Sequence, residues 1–383
     1  MLKCLFVEDR HVDRATFEDF FEELPDPRID RHKRHSLLDI LFISVSAVIC
    51  GAKSFVDMED FGYGKEIWLR ERLRLDNGIP SHDTFRRVFT LLEPDAFLQC
   101  FVRWTSHLAE ITSGDIVALD GKTLRRSFKE STGLGAVHVL NAFSSVNGLC
   151  LGQLKVDEKS NEITAVPALL ELLDVRGSVV TADALNTQKE IAAKVIDKGG
   201  DFCLALKGNH RALHEEVRLY VESGLREGFG EKVTCCGEQD YGHGRSELRE
   251  TWLIETRELP WLDTKDWRGL RSIVASRSTR RVGEEESTEL RLYLSSLTDV
   301  DQAAASIRAH WQVENSLHWV LDVDFGEDDC RARAGHAAEN FALVRKIALN
   351  MLKKESTKNT SIRRKVNKAC WDNDFLERIL CGV

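Results

Sequence analysis

The sequence predicts an α/β protein: a mixed sheet in the middle of the chain, a helical segment before it, a β-rich segment and closing helices after it. Three observations carry this. Short apolar runs that end in an aspartate alternate with helical spacing between about 111 and 227. Apolar residues recur at helical intervals before about 110 and after about 301. Between about 228 and 300 the texture changes to strands separated by polar turns.

At roughly 100–200 residues per domain, a chain of 383 residues should hold two or three folded units. With 43% hydrophobic and 30% charged residues, it is neither disordered, collagen-like nor a coiled coil. Lys and Arg number 53 against 62 Asp and Glu, a net charge of −9, so any basic surface must be local. The ten cysteines are scattered without a C-x-x-C pair, which suggests reduced thiols of a cytosolic protein. Met1–Phe6 runs at once into Glu8, Asp9 and Arg10, unlike a signal peptide. The longest apolar run, Leu37–Cys50, is too short to span a membrane and reads as a buried helix.

In the first segment (1–110), Ser36 is placed to cap a helix through Leu37, Leu41, Val45 and Ile49, with Gly51 as its stop. A second helix passes through Val56, Met58 and Phe61. Asn77-Gly78 then turns the chain, and Ser81 is placed to cap a helix carrying Thr84 and Arg87, a pattern that resembles a helix-turn-helix DNA reader.

The middle segment (111–227) holds a strand at Ile116–Leu119 ending in Asp120, a hairpin of Ala136–Phe143 and Leu149–Val156 about Asn147-Gly148, and a helix over Ile163–Leu173. A strand at Ser178–Ala182 ends in Asp183, followed by a helix over Thr187–Ile196 and a strand at Asp201–Leu206. In 228–300 the candidate strands are Lys232–Cys236, Glu247–Ile254, Leu270–Ser278 and Ser287–Leu297. In 301–383 the clearest helices are Ala303–Val323 and His336–Lys354.

Open α/β sheets place their sites at the carboxyl ends of strands, where Asp120 and Asp183 fall. A third acid, Glu314, shares a helical stripe with Ile307, Trp311, Leu317 and Leu321, flanked by His310 and His318 one turn before and after. That stripe is apolar, so the carboxylate is expected on a buried face, where it needs a partner. Three converging acids suit an oxygen-loving divalent ion such as Mg²⁺. A pair of such ions roughly 4 Å apart would activate a water or 3′-hydroxyl and stabilise the leaving oxygen of a phosphodiester.

At these residues the chain resembles the DDE transposases of bacterial insertion sequences, in the group of the H-repeat-associated proteins. Nine motifs in order carry the resemblance: Leu24–Arg28, Leu37–Leu41, Asn77–Thr84, Asp120–Arg125, Asp157–Ile163, Thr181–Ala184, Leu206–Asn209, His243–Arg245 and His310–Trp319. The resemblance implies a ribonuclease-H-like core with a β-rich insertion before its last acid. It implies Asp120, Asp183 and Glu314 as catalytic and metal-binding residues, with Mg²⁺ or Mn²⁺ as cofactor, two ions in all. It also implies cleavage at transposon ends, transfer of the freed 3′-hydroxyl into target DNA, and a homodimer that brings two ends together in the cytoplasm. Where related transposases carry Tyr, Arg and Lys around the glutamate, this chain has Ile307, His310 and Leu321.

Candidate DNA contacts are Lys122, Arg125 and Arg126 after the first aspartate, Lys207 and Asn209 at another strand end, and His243 and Arg245 at a glycine-flanked hairpin tip. His310 and His318 beside Glu314 belong with them, as do Arg363, Arg364 and Lys365 in a basic stretch that also holds Lys353, Lys354, Lys358 and Lys368. Trp252, Trp261 and Trp267 are read as core residues of the insertion. Two other readings stay open: a DNA-binding relative that is catalytically idle, and a nuclease of the same fold without strand transfer.

Overall fold

The computed structural model describes residues 17–30, 33–109, 114–128, 135–156, 162–229, 232–242, 244–357 and 360–382. The helical segment comprises α1 (Phe17–Phe21), α2 (Leu37–Ile49), α3 (Phe55–Gly64), α4 (Glu66–Arg70), α5 (His82–Leu91) and α6 (Pro94–Leu108). The Ser36 hydroxyl accepts from Asp39 N at the start of α2, and Ser54 and Asp57 form a reciprocal capping box on α3. Ser81 makes no such capping bond. The free N–H of His82 donates instead to the Glu59 carboxylate of α3 at 2.9 Å, so a neighbouring helix caps α5.

The sheet follows: β1 (Ile116–Leu124), β2 (Val137–Ser144), β3 (Leu149–Val156), α7 (Glu162–Leu172), β4 (Val179–Ala182), α8 (Lys189–Asp197), β5 (Asp201–Leu206) and α9 (Arg211–Glu227). The later stretch supplies β6 (Thr234–Gly242), β7 (Arg245–Glu255), β8 (Ser272–Val282) and β9 (Glu285–Ser295). Among the described residues, nine strands form one sheet in the order β3-β2-β1-β4-β5-β9-β8-β7-β6. The late strands are therefore an extension of the central sheet. They join through β9, which pairs antiparallel to β5 with Leu204 opposite Leu294. Only β1–β4 and β4–β5 are parallel, and these interior strands are almost wholly buried, as covering on both faces requires.

One face of the sheet packs against α10 (Val300–His310), where Ile307 and Ala309 meet Ile116, Val179, Cys203 and Tyr293. The chain then makes a π turn (Glu314–His318) into α11 (Trp319–Val323). The expected single helix over Ala303–Val323 is thus interrupted. Two lysines reach backbone carbonyls of this segment: Lys353 Nζ donates to Ser316 O at 2.8 Å and Lys122 Nζ to His318 O at 3.3 Å.

The chain closes with α12 (Ala337–Lys354), α13 (Ile362–Trp371) and α14 (Asn373–Cys381). α12 is buried along nearly its whole length against α2, α5, α6 and β3, and so joins the N-terminal helices to the sheet. Buried cysteines such as Cys100, Cys150 and Cys203 are free thiols. Among the described residues, no helix is long and apolar enough to cross a membrane.

Candidate active site

Strand parity brings the acids together. Alternate residues of a strand share a face, so Asp120 lies on the face of Ile116, and Asp183 on the face of Val179 and Thr181. That is the face covered by α10. β1 pairs with β4 as far as Leu119 opposite Ala182, which leaves Asp120 and Asp183 as the next step on adjacent parallel strands. Asp120 does not end its strand as expected. β1 continues to Leu124 because β2 still pairs with it, Asp120 lying opposite Asn141. The acid instead marks the point where β4 peels away, opening a crevice between the two strands.

The π turn supplies the third acid. His318 Nδ1 lies 3.2 Å from Glu314 Oε2 and 3.4 Å from Asp120 Oδ2. Ligand atoms of Asp120, Glu314 and His318 all lie within 4.8 Å of one another. The imidazole is buried, and its Nε2 faces the Asn141 amide nitrogen at 3.4 Å. Asn141 is then the donor to Nε2, and the ring proton sits on Nδ1, shared toward the two carboxylates.

Glu314 itself is exposed, its side chain retaining 63% of its accessible surface. The expectation of a buried face assumed uninterrupted α-helical phase. The π turn resets that phase, burying Val313 and Leu317 and turning Glu314 outward. Trp311 and Trp319, which bracket the turn, are also exposed.

Burial, reinforced by the charges of Asp183, Glu162 and Glu314, pushes the Asp120 carboxyl up to about 7. Asp183 is also raised, first by burial and then by Glu162, although its carboxylate accepts from Asn186 N at 3.2 Å. Crowded acids of this kind carry their full charge only with a compensating cation. Hard carboxylate oxygens at one crevice fit a divalent ion; the possible ligand atoms that lie together are those of Asp120, Glu314 and His318, with Asp183 at the end of the adjacent strand outside that group.

The other expected residues divide. Lys122 is buried, not on a DNA-facing surface: it pairs with Asp322 and, at 3.1 Å, with Glu327. Burial opposes its charge, but Glu327 and Asp322 outweigh that and hold its pKa above the usual value. Lys365 is buried too, donating to Leu352 O at 2.9 Å and to Glu355 O. His310 accepts or donates at Thr181 Oγ1 over 3.0 Å, and burial holds it down to about 4, so it is neutral near pH 7 and no phosphate-binding cation. His318 is likewise held at about 4 by burial and by Lys122.

Lys207 is exposed near the crevice, where its charge acts on Asp183, and Asn209 Nδ2 donates to Ala184 O in the loop after Asp183. Arg125 and Arg126 are exposed and pair with Asp328 and Asp329. Arg245, Arg363 and Arg364 are exposed. Lys353 is tied to Gly148 O and Ser316 O, which removes it from the basic surface. His243, Lys358 and residues 157–161 lie outside the described residues. Of the tryptophans, Trp267 is buried, Trp252 lies under the Arg277 guanidinium, and Trp261 is 41% exposed beside Tyr220.

Two groups escaped sequence reasoning in their actual role. His318 reads in sequence as a DNA contact beside Glu314, whereas the fold buries it between Glu314 and Asp120. Glu162 lies in the Asp157–Ile163 motif, where nothing local links it to the aspartates.

The structure places acids on adjacent parallel strands and on a facing helical turn around one crevice, and comparison with known proteins gives the family. Residues 111–351 match the family described as Transposase DDE domain, and residues 18–105 match DDE_Tnp_1-associated. The chain belongs to the DDE transposases. It is 39% identical over 364 residues to the "H repeat-associated putative transposase YhhI" of Escherichia coli (strain K12), covering 94% of this chain and 96% of that one. It is 46% identical over 287 residues to an uncharacterized protein in the dhlA 3′ region of Xanthobacter autotrophicus, covering 73% and 94%. Within the DDE transposases it falls in the H-repeat group. A solved piggyBac transposase synaptic complex with hairpin DNA aligns at a TM-score of 0.43 and 10% identity, covering 94% of this chain and 76% of that one.

Proposed function

We propose that this protein cleaves DNA at transposon ends and joins the freed 3′-hydroxyl to target DNA, with Asp120, Asp183 and Glu314 holding the divalent cations, two in number, that the reaction needs. The observation that carries the reading is the convergence of Asp120 and Glu314 on one imidazole, from a sheet strand and a distant helical turn, beside Asp183. When bound, the cations supply charge stabilisation at the scissile phosphate and an activated nucleophile. The chain's own part is to hold Asp120 and Asp183 in register on adjacent strands, with His318 tying the exposed Glu314 to Asp120.

The order β3-β2-β1-β4-β5, with β2 antiparallel and the rest of that core parallel about β1, supports a ribonuclease-H-like core for residues 111–227 together with the glutamate helix. The β-rich segment 228–300 extends that sheet. Residues 1–110 and 301–383 frame it as helical units, the first a candidate for DNA contact through α5. DNA is the partner of the whole, met in the cytoplasm and handled by a homodimer that brings two ends together. Lys207, Asn209, Arg125, Arg126, Arg245, Arg363 and Arg364 are the exposed candidates for phosphate.

The test uses duplexes carrying the DNA that flanks the coding region, with Mg²⁺ or Mn²⁺. Wild type nicks at the end and joins it to a second duplex, whereas Asp120→Asn, Asp183→Asn and Glu314→Gln bind the end without nicking. Nicking without joining would reduce the function to a nuclease. Failure of wild type to nick any flanking duplex would favour the idle DNA-binding relative.

A further inference from the structure

We propose that Glu162 is a positioning residue of the acidic centre: it orients Asn186, and through it the Asp183 carboxylate, and adds negative charge that strengthens cation binding. This rests on the reading of Asp120, Asp183 and Glu314 as the cation-holding acids.

A continuous hydrogen-bonded chain runs along the back of the crevice. Thr123 Oγ1 meets His138 Nδ1 at 2.9 Å, and His138 Nε2 meets Glu162 Oε1 at 2.6 Å. Asn186 Nδ2 donates to Glu162 Oε2 at 2.9 Å and to Asp183 Oδ1 at 3.0 Å. A carboxylate only accepts, so His138 donates from Nε2 and receives the Thr123 hydroxyl at Nδ1. Asn186 is fully buried, and both of its described donor contacts are carboxylates. Flipping its amide would set Oδ1 against Glu162 and Asp183 together. Glu162 thus fixes which way Asn186 points, and Asn186 holds one oxygen of Asp183 while its backbone N–H grips the same oxygen at 3.2 Å.

The position of the pair is equally constrained. Glu162 begins α7, which packs on the face of the sheet opposite α10, and its side chain is only 14% exposed. It passes directly over Gly121. A Cβ at that residue would lie 2.6 Å from His138 Nε2 and collide with the Glu162 carboxylate. The residue after Asp120 therefore has no side chain because the His138–Glu162 pair occupies that space. From there the Glu162 charge acts on both Asp120 and Asp183. A carboxylate serving only the N-terminus of α7 would have no need of either contact. Ligand-orienting partners of this kind typically alter metal affinity by about 10–100-fold when removed.

The test is Mn²⁺ titration of the full-length chain, reading free Mn²⁺ by its paramagnetic resonance signal, with thermal melting alongside. Glu162→Gln should weaken Mn²⁺ binding by about tenfold with little change in melting temperature. The same change made on top of Asn186→Leu should add less than it does alone, because the two act in one chain. His138→Gln, which leaves the carboxylate charge in place, should give a smaller loss in the same direction. Should Glu162→Gln not fold, wild-type affinity in His138→Gln overturns the proposal. Wild-type affinity in a folded Glu162→Gln, with binding lost in Asp120→Asn, overturns the role of Glu162 and leaves the acid triad standing. Undiminished binding in Asp120→Asn overturns the triad reading and this proposal with it.

Discussion

His318 bridges Asp120 and Glu314: its Nδ1 lies 3.4 Å from the one carboxylate and 3.2 Å from the other, while the ring is buried against Asn141. A residue on a helical turn thereby fixes the distance between a strand acid and its own neighbour one turn earlier. Removing the imidazole frees the exposed Glu314 side chain to leave the crevice. His318→Ala should lower cation-dependent nicking at transposon ends by about 10–100-fold at saturating Mn²⁺. Single-turnover rates within about twofold of wild type would show that Glu314 needs no such anchor.

The acid limb of stability should carry the signature of His310. Burial, with the Arg291 charge adding to it, holds this imidazole down to about 4 against an ordinary 6.5. Between those values the unfolded chain takes up a proton that the folded chain does not. The stabilisation is therefore complete above about pH 6.5 and is lost as pH falls toward 4, by an amount on the order of 3 kcal/mol. Urea unfolding of His310→Gln across this range should show a shallower pH slope than wild type. Identical slopes would contradict a neutral buried imidazole.

Beneath the crevice, Glu327 is completely buried among Lys122 at 3.1 Å, Lys346 at 3.8 Å and the neighbouring Arg345. Burial works against its charge, but Lys346, Lys122 and Arg345 outweigh it and hold the carboxyl below its usual range. Glu327→Ala leaves buried cations without compensation and should cost about 3–5 kcal/mol in urea unfolding. Replacing Glu327 and Lys346 together by apolar residues should recover part of that loss. A single-variant loss under about 1 kcal/mol would mean that water reaches the cluster.

The basic stretch after α12 should separate into two functions. Arg363 and Arg364 are exposed on α13, whereas Lys365 points inward at Leu352 O and Glu355. Each phosphate contact contributes about 0.9 to the slope of log affinity against log salt. Arg363→Ala with Arg364→Ala should reduce that slope by about 2. Lys365→Ala should lower the melting temperature and leave the slope unchanged. An unchanged slope in the double variant would remove α13 from the DNA surface.

Much of the fold was legible in local pattern. Val179–Ala182, a β-branched stretch ending in alanine, forms the buried parallel strand expected of it, and Asn147-Gly148 makes the expected hairpin turn with Gly148 at positive φ. The serine before Leu37 caps its helix as read. The strands between 234 and 295 were also legible as strands, but not their attachment to β5, because an edge is satisfied by whichever strand reaches it. The single helix expected over Ala303–Val323 failed for a similar reason. Helical periodicity does not register a π turn whose backbone carbonyls also accept from Lys122 and Lys353, more than a hundred residues upstream in the one case and on α12 in the other.

Sequence alone determined the residue types on which this protein depends: two aspartates at the ends of apolar runs, a glutamate between histidines, and the spacing that marks the family. Tertiary structure decided which of the surrounding charges face outward. Lys122 and Lys365 read as DNA contacts because a lysine's charge is visible in sequence, while its burial against Glu327 or Glu355 is not. The same holds for Glu162. Its meaning lies in the close passage over Gly121 toward Asn186, and contacts between segments so far apart exist only once the sheet has closed around them.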